Sequence, residues 1–303
     1  MKTLLQIQTL IGAIGISFIS LAATLSAGAA EDINGITTVS ARVSKDYTRG
    51  KLPDGTFRPE YYAFGKGGQW GGEISDAIID KLTFEDVARV IAVPLASQSF
   101  IPARNPNETR LLIMVYWGTT AVPPPPSESV AYQNYQAAQE EYQILLSEGD
   151  GIDANAVLNA GLAQAMVENA KRDHLDFMNA AMLGYDSTGL IGTDYGAAIS
   201  RTAFGVDQRD QVAEIEEHRY FVVLMAYDFQ LVWKQKKHKL LWETRFSINE
   251  GHNRFDKALP VIAAYASQFF GQSSNGLLRT QVLQGRVEVG EVKSLGEVEE
   301  PKK

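Results

Sequence analysis

The sequence contains no cysteine, and that single absence closes several routes at once. Disulfide cross-links, thiol catalysis, cysteine-ligated zinc and lipid attachment through an N-terminal cysteine all need the missing residue. Histidine is scarce as well, with four in 303 residues: His174, His218, His238 and His252. None belongs to an H-E-x-x-H pair or lies at ligand spacing from a second imidazole, so no metal site is signalled. No serine sits in G-x-S-x-G, the strained turn that exposes a hydrolase nucleophile. Positive charge is in deficit, with a formal net charge of -8, which argues against nucleic acid as a partner. Beyond residue 25 no apolar run approaches the ~20 residues that span a bilayer.

The phosphate-binding loops fail too. Gly65, Gly67, Gly68, Gly71 and Gly72 crowd one short stretch, but no G-K-[ST] follows, and Trp70 occupies the third glycine position of G-x-G-x-x-G counted from Gly65. No cofactor is therefore implied. Asp150, Asp153 and Asn155 lack the alternate oxygen ligands of a calcium loop, because Ile152 and Ala154 fall in the required slots.

What the chain does contain begins with an export signal. Lys2 precedes an apolar run from Leu4 to Leu25 that ends in Ser26-Ala27-Gly28-Ala29-Ala30, the pattern of a secretory signal peptide over 1–30. Cleavage near residue 30 leaves a periplasmic or secreted protein with no integral span; the alternative is an uncleaved anchor. The composition of the whole chain, 45% hydrophobic and 21% charged, is that of an ordinary globular protein with enough length for a sizeable core.

The order of patterns predicts an α+β fold: a mixed β-sheet with packed helices and an inserted αα-hairpin. A first part covers 31–127. Within it 31–51 carries little pattern, Phe57 to Phe64 reads as a strand, and Gly65 to Gly72 reads as a loop. Thr83 with Asp86 three residues on is a helix start, followed by Phe84, Val87, Ile91 and Leu95 at helical spacing. Pro94 is expected to end or kink that helix. LLIMVYW at 111–117 is a buried strand, so strand, helix and strand make a crossover with parallel strands if the two are neighbours. Four prolines at 123–126 form a stiff spacer.

Residues 128–183 read as the αα-hairpin. Tyr135, Ala138, Tyr142 and Leu145 mark one packing face; Leu158, Leu162, Met166, Ala170, Phe177 and Ala181 mark the other, with Gly184 at the C-cap. The second part of the domain, 184–292, is organised around a central β-hairpin at 219–248. Tyr220 to Tyr227 is nearly continuous in apolar residues, as in a strand covered on both faces, while 240–248 alternates. Asn253 is placed to cap a helix with Phe255, Leu259, Ile262, Ala266 and Phe269 on its apolar face, and Arg286 to Val292 reads as an edge strand. A charged tail, 293–303, closes the chain.

Two candidate contacts emerge. Trp70 in the glycine-rich stretch could present an aromatic face to a sugar or peptide, against the plainer reading of a packed connection. Lys234, Lys236, Lys237 and His238 cluster at the tip of the central hairpin, where they fit an anionic polymer, a lipid headgroup or an acidic partner; the plainer reading is a solvated turn that discourages edge association.

The segments LLIMVYW, YFVVLMAYDFQLV, KLLWETRFSI and RFDKALPVIAAYASQFF, in that order after a helix, resemble exported bacterial envelope domains of the TolB amino-terminal and curli-secretion lipoprotein type. The resemblance covers 83–118 and 219–270; the 128–183 insertion is extra, and the lipid-bearing cysteine is absent. It implies a noncatalytic exported cell-envelope protein, a protein-binding or assembly module whose partners are envelope proteins. A secreted hydrolase acting on glycans and a small-ligand carrier are the alternatives.

Overall fold

The computed structural model describes residues 35–69, 78–122, 124–149, 151–185, 211–251 and 253–282. The expected signal peptide, Trp70, the strand expected at 286–292 and the charged tail lie outside the described residues. The fold is α+β, with a seven-stranded mixed sheet.

The strands are β1 (Gly35–Val43), β2 (Glu60–Gln69), β3 (Phe100–Pro102), β4 (Leu111–Thr119), β5 (Arg219–Asp228), β6 (Leu240–Asn249) and β7 (Leu277–Val282). Their order across the sheet is β3-β2-β4-β5-β6-β1-β7. The helices are α1 (Phe84–Ser97), α2 (Val130–Ser147), α3 (Gly151–Leu183), α4 (Phe229–Gln235) and α5 (Phe255–Ala266). As expected, β5 is the central strand, and β2 and β4, joined through α1, are parallel neighbours.

One face of the sheet carries the main core. Val39, Ile113, Val115, Val222, Leu224, Phe246 and Ile248 meet Val87, Ile91 and Leu95 of α1 and Leu259 and Ile262 of α5. Burying such side chains stabilises by about 1.5–3 kcal/mol each. The Thr83 capping box at the start of α1 forms, with Thr83 and Asp86 bonding each other's backbone N–H. Pro94 does not stop α1, which runs on to Ser97; so near the C-terminal end one missing N–H is a small loss.

The other face is covered in two places. Ala180, Met182 and Leu183, at the end of α3, sit with Tyr185 and Ile215 over Phe221 and Val223. Phe229 and Val232 of α4 sit over Leu112.

Several expectations are corrected. The weakly patterned 31–51 contains β1, a fully internal strand bonded to β6 and β7. Its Thr37, Thr38 and Ser40 are buried, and Thr38 shares a hydroxyl hydrogen bond with Ser247 at 2.7 Å. The glycines at 65, 67 and 68 are not a loop but the second half of β2. A Cβ at Gly65 would lie 2.2 Å from the Met114 sulfur, and one at Gly67 2.6 Å from the Tyr116 ring, so β2 is bare where β4 lays large side chains across it. Asn253 does not cap α5; its side-chain amide donates to the Asn249 carbonyl instead, at 2.9 Å. Beside β1 lies β7, at 277–282, a strand the sequence pattern did not mark.

The central hairpin has the expected antiparallel pairing, Tyr220 opposite Ile248 through Ala226 opposite Trp242, but no tight tip. FQLV, the end of the segment expected as the long strand, turns instead into α4. Asp228 accepts a hydrogen bond from the Leu231 N–H as N-cap, and Lys236 closes the helix in the left-handed conformation at φ 58. Phe229, Leu231 and Trp233 alternate as in a strand, but Phe229 and Val232, three apart, share a face only in a helix, and burying both decides the outcome.

Candidate functional site

The inserted αα-hairpin is present as expected, and it is an arm rather than part of the core. The 33 residues of α3 extend about 50 Å at the helical rise. Over that length only the C-terminal end of α3 joins a cluster with the sheet.

The two helices of the arm meet through small residues. Ala138 of α2 and Ala154, Gly161 and Ala165 of α3 are the buried positions along it. A Cβ on Gly161 would come within 2.6 Å of the Ala138 Cβ, so the axes approach as closely as the glycine permits. This overturns the expected packing face of α3. Leu162, Met166 and Phe177 are exposed at 39%, 62% and 41%, and Ala170 and Ala181 are exposed too. The expected α2 face, Tyr135, Ala138, Tyr142 and Leu145, does point inward. The large residues of α3 face out because its small ones are needed inside.

The base of the arm is pinned by polar side chains. Asn179 donates to the carbonyls of Ala121 and Ile215, at 2.7 and 3.1 Å. Arg172 pairs with Glu216 at 2.9 Å and donates to the Pro124 carbonyl, and Arg245 donates to the Ala181 carbonyl. Gly184, at φ +84, ends the helix as expected, and both its N–H and that of Tyr185 bond to the Ala180 carbonyl. Tyr185 donates its hydroxyl to Glu214, which also binds Arg279 at 3.0 Å; burial pushes that phenol well above its ordinary range.

Two charged groups lie unusually deep there. Arg219 is fully buried on the second face, reaching across β6 to Ser247 at 3.1 Å and to the Ile36 carbonyl of β1 at 2.6 Å. Its remaining nitrogen has Glu217 at 3.5 Å as an ion pair without a directed hydrogen bond. Asp176 is 5% exposed, and neither carboxylate oxygen has a hydrogen-bond partner. Burial, reinforced by Glu216, raises its pKa to about 6, against the lowering effect of Arg172.

The opposite end of the sheet has a different character. Lys234, Lys236, Lys237 and His238 stand at the C-terminal end of α4 and the loop after it, all exposed. The Lys234 ammonium is 5.8 Å from the Trp233 ring, Lys236 donates to the Trp233 carbonyl at 3.2 Å, and His238 packs edge-on to Tyr227 at 6.0 Å. The structure thus keeps the four basic residues together. Beside them is a cluster that sequence spacing did not reveal, because its members are far apart in the chain. Arg49 lies between the rings of Phe57 and Phe100, 3.9 and 4.1 Å from their centres, and Tyr47 donates to Glu60 at 2.9 Å. Burial lowers the Arg49 pKa and raises that of Tyr47 beyond its ordinary range.

The two buried glutamates therefore sit apart, Glu60 at the start of β2 and Glu214 beside the arm. Each is tied to a tyrosine and an arginine, an arrangement that holds structure and not the facing pair of acids that glycoside hydrolysis uses. Among the described residues no cluster of histidine, aspartate and glutamate of metal-binding form occurs, and no helix is long and apolar enough to cross a membrane.

No protein-family model and no curated protein matches this sequence. Among solved structures the chain is similar to a PDZ domain protein from Parabacteroides distasonis ATCC 8503, at 11% identity and a TM-score of 0.37. That likeness covers 82% of this chain and 39% of the other, so the chain spans about two-fifths of its neighbour's length.

Proposed function

We propose that this chain is a noncatalytic, exported cell-envelope protein that binds or assembles with protein partners through its helical arm. The observation that carries the reading is where exposed apolar surface lies. Of the 14 large apolar side chains exposed among the described residues, eight are on the arm: Val130, Ile144, Leu146, Ile152, Leu162, Met166, Val167 and Phe177. Scattered exposed apolars are ordinary, but concentration on one projecting element marks an interaction surface. From Ala154 to Val167 the chain carries no charge at all, which suits a helix face that is covered in use. The export signal, and the resemblance of 83–118 and 219–270 to envelope domains, support the compartment.

A photo-crosslinking residue at Met166 in the living envelope tests the reading. It is expected to trap a discrete protein adduct, whereas one at Val93, at least as exposed on α1 but away from the arm, traps none. Equal labelling at both positions, or at neither, refutes the arm as a contact surface. The proposed compartment has its own check: the intact mass of the exported protein is expected to show loss of the first ~30 residues, and a full-length mass in the membrane fraction contradicts it.

A further inference from the structure

The arm and the basic residues after α4 lie at opposite ends of the sheet, and their charges are opposite. Residues 128–183 hold nine acids against two bases, Lys171 and Arg172, a net of -7. At the other end, pairing brings three connections together, since Val43 lies opposite Trp242, Tyr62 beside Leu111 and Leu111 opposite Asp228. Those connections, 42–60, 103–110 and 228–239, hold eleven lysines and arginines against five acids, a net of +6. That figure already includes the local neutralisation of Lys239 by Asp46 and of Arg110 by Glu60.

Apolar surface divides the same way. Besides the eight exposed residues of the arm, Leu52, Tyr61, Ile101 and Trp233 are exposed at the basic end, leaving only Ile36 and Val93 elsewhere among the described residues. Tyr61 and Ile101 are paired neighbours on β2 and β3. Each end thus combines apolar anchors with a net charge, and the two net charges are opposite in sign.

We infer that the partner of the arm is a second copy of this chain, the acidic arm of one molecule seating on the basic end of the next. This rests on the arm being a protein-binding surface, as proposed above, and names what it binds. The arm is anchored by Asn179, Arg172 and Ala180 beside β5's first residues, while the basic end gathers at β5's last residue, so the complementary surfaces point away from each other. The contact is therefore intermolecular. Because the two surfaces differ, the contact is heterologous and propagates head to tail, giving a ring where the rotation closes and a filament where it does not. The uncharged stretch 154–167 supplies the apolar centre, and the flanking Glu140, Glu141 and Glu148, all exposed, face the lysines.

The test uses the chain recovered from cells that export it, followed by sedimentation across concentration and salt. At about 20 mM salt the average mass is expected to rise at least twofold with concentration, and at about 0.5 M salt, where screening shortens to a few ångströms, to fall back to the monomer. Two variants then separate the surfaces. Lys234→Ser/Lys236→Ser/Lys237→Ser removes charge from the basic end, and Met166→Lys/Val167→Lys spoils the arm at exposed positions that the fold does not use. Each variant alone is expected to stay monomeric, while their equimolar mixture forms a one-to-one dimer and nothing larger, because one intact arm and one intact basic end remain. A native chain that is monomeric throughout, variants that assemble like the native chain, or a mixture that forms no dimer overturns the inference. If the native chain is monomeric but Met166 still crosslinks to another envelope protein, self-assembly fails and the protein-binding reading survives. If Met166 crosslinks to nothing, both fail.

Discussion

Replacing Arg219 by alanine is expected to lower the unfolding free energy by about 3–5 kcal/mol, whereas Arg219→Met costs roughly half of that or less. The difference separates what the side chain fills from what it bonds. Arg219 is fully buried, and its length crosses the second face from β5 over Ser247 of β6 to Ile36 of β1. Alanine leaves a cavity along that path and strands the Ile36 carbonyl without its charged donor. Methionine refills most of the volume, and Ser247 keeps its hydroxyl partner in Thr38, so the Ile36 carbonyl alone is left short, at about 1–3 kcal/mol. Urea unfolding of both variants measures the contrast. Equal losses would mean that the guanidinium's bonds, and not its packing, hold β1 to β5; no loss in either would mean that the burial of the charge cancels everything it contributes.

Much of the architecture was open to a reader of residues alone. The continuous apolar run of β5 and the alternation of β6 placed the centre of the sheet, because a strand covered on both faces has little choice of side chain. The Thr83 to Asp86 capping box and the Gly184 terminus marked helix ends through local bonds that hardly depend on the rest of the fold. What escaped was decided by distant neighbours. GITTVSARV looks too polar for an internal strand until Ser247 stands opposite Thr38, over 200 positions away. FQLVWKQ suits a strand or a helix equally, and only the bare surface of Leu112 selects the helix. The outward face of α3 was inverted because large apolar residues were assigned inside, when close approach at Gly161 required small ones. The same inversion exposes Met166 and Phe177, so the arm's interaction surface was legible only after the packing was known. The lysines at 234, 236 and 237 needed no such help, since charge clustered within a few residues stays clustered in any fold.

Asp176→Asn is expected to stabilise the protein at pH 8 by about 2 kcal/mol and to change little at pH 4. Asp176 is at the base of the arm, buried and without a hydrogen bond to either oxygen, and its folded pKa of about 6 lies above the ~3.9 of an exposed aspartate. Between those values the folded state holds the proton more tightly than the unfolded state. Stability therefore falls as pH rises from about 4 to 6, and the penalty is fully present above that window. The amide removes the charge while keeping the shape, so it removes the penalty only where the native residue is ionised. Paired urea titrations of the two proteins at pH 4 and pH 8 provide the measurement. A stabilisation of equal size at both pH values would trace the effect to packing instead of charge, and a loss at pH 8 would show that the carboxylate has a cation beside it in solution. With the expected result, acidification tightens the joint between arm and sheet through Asp176 itself, one helical turn from Arg172 on the same helix face, whose pairing with Glu216 fastens the same joint.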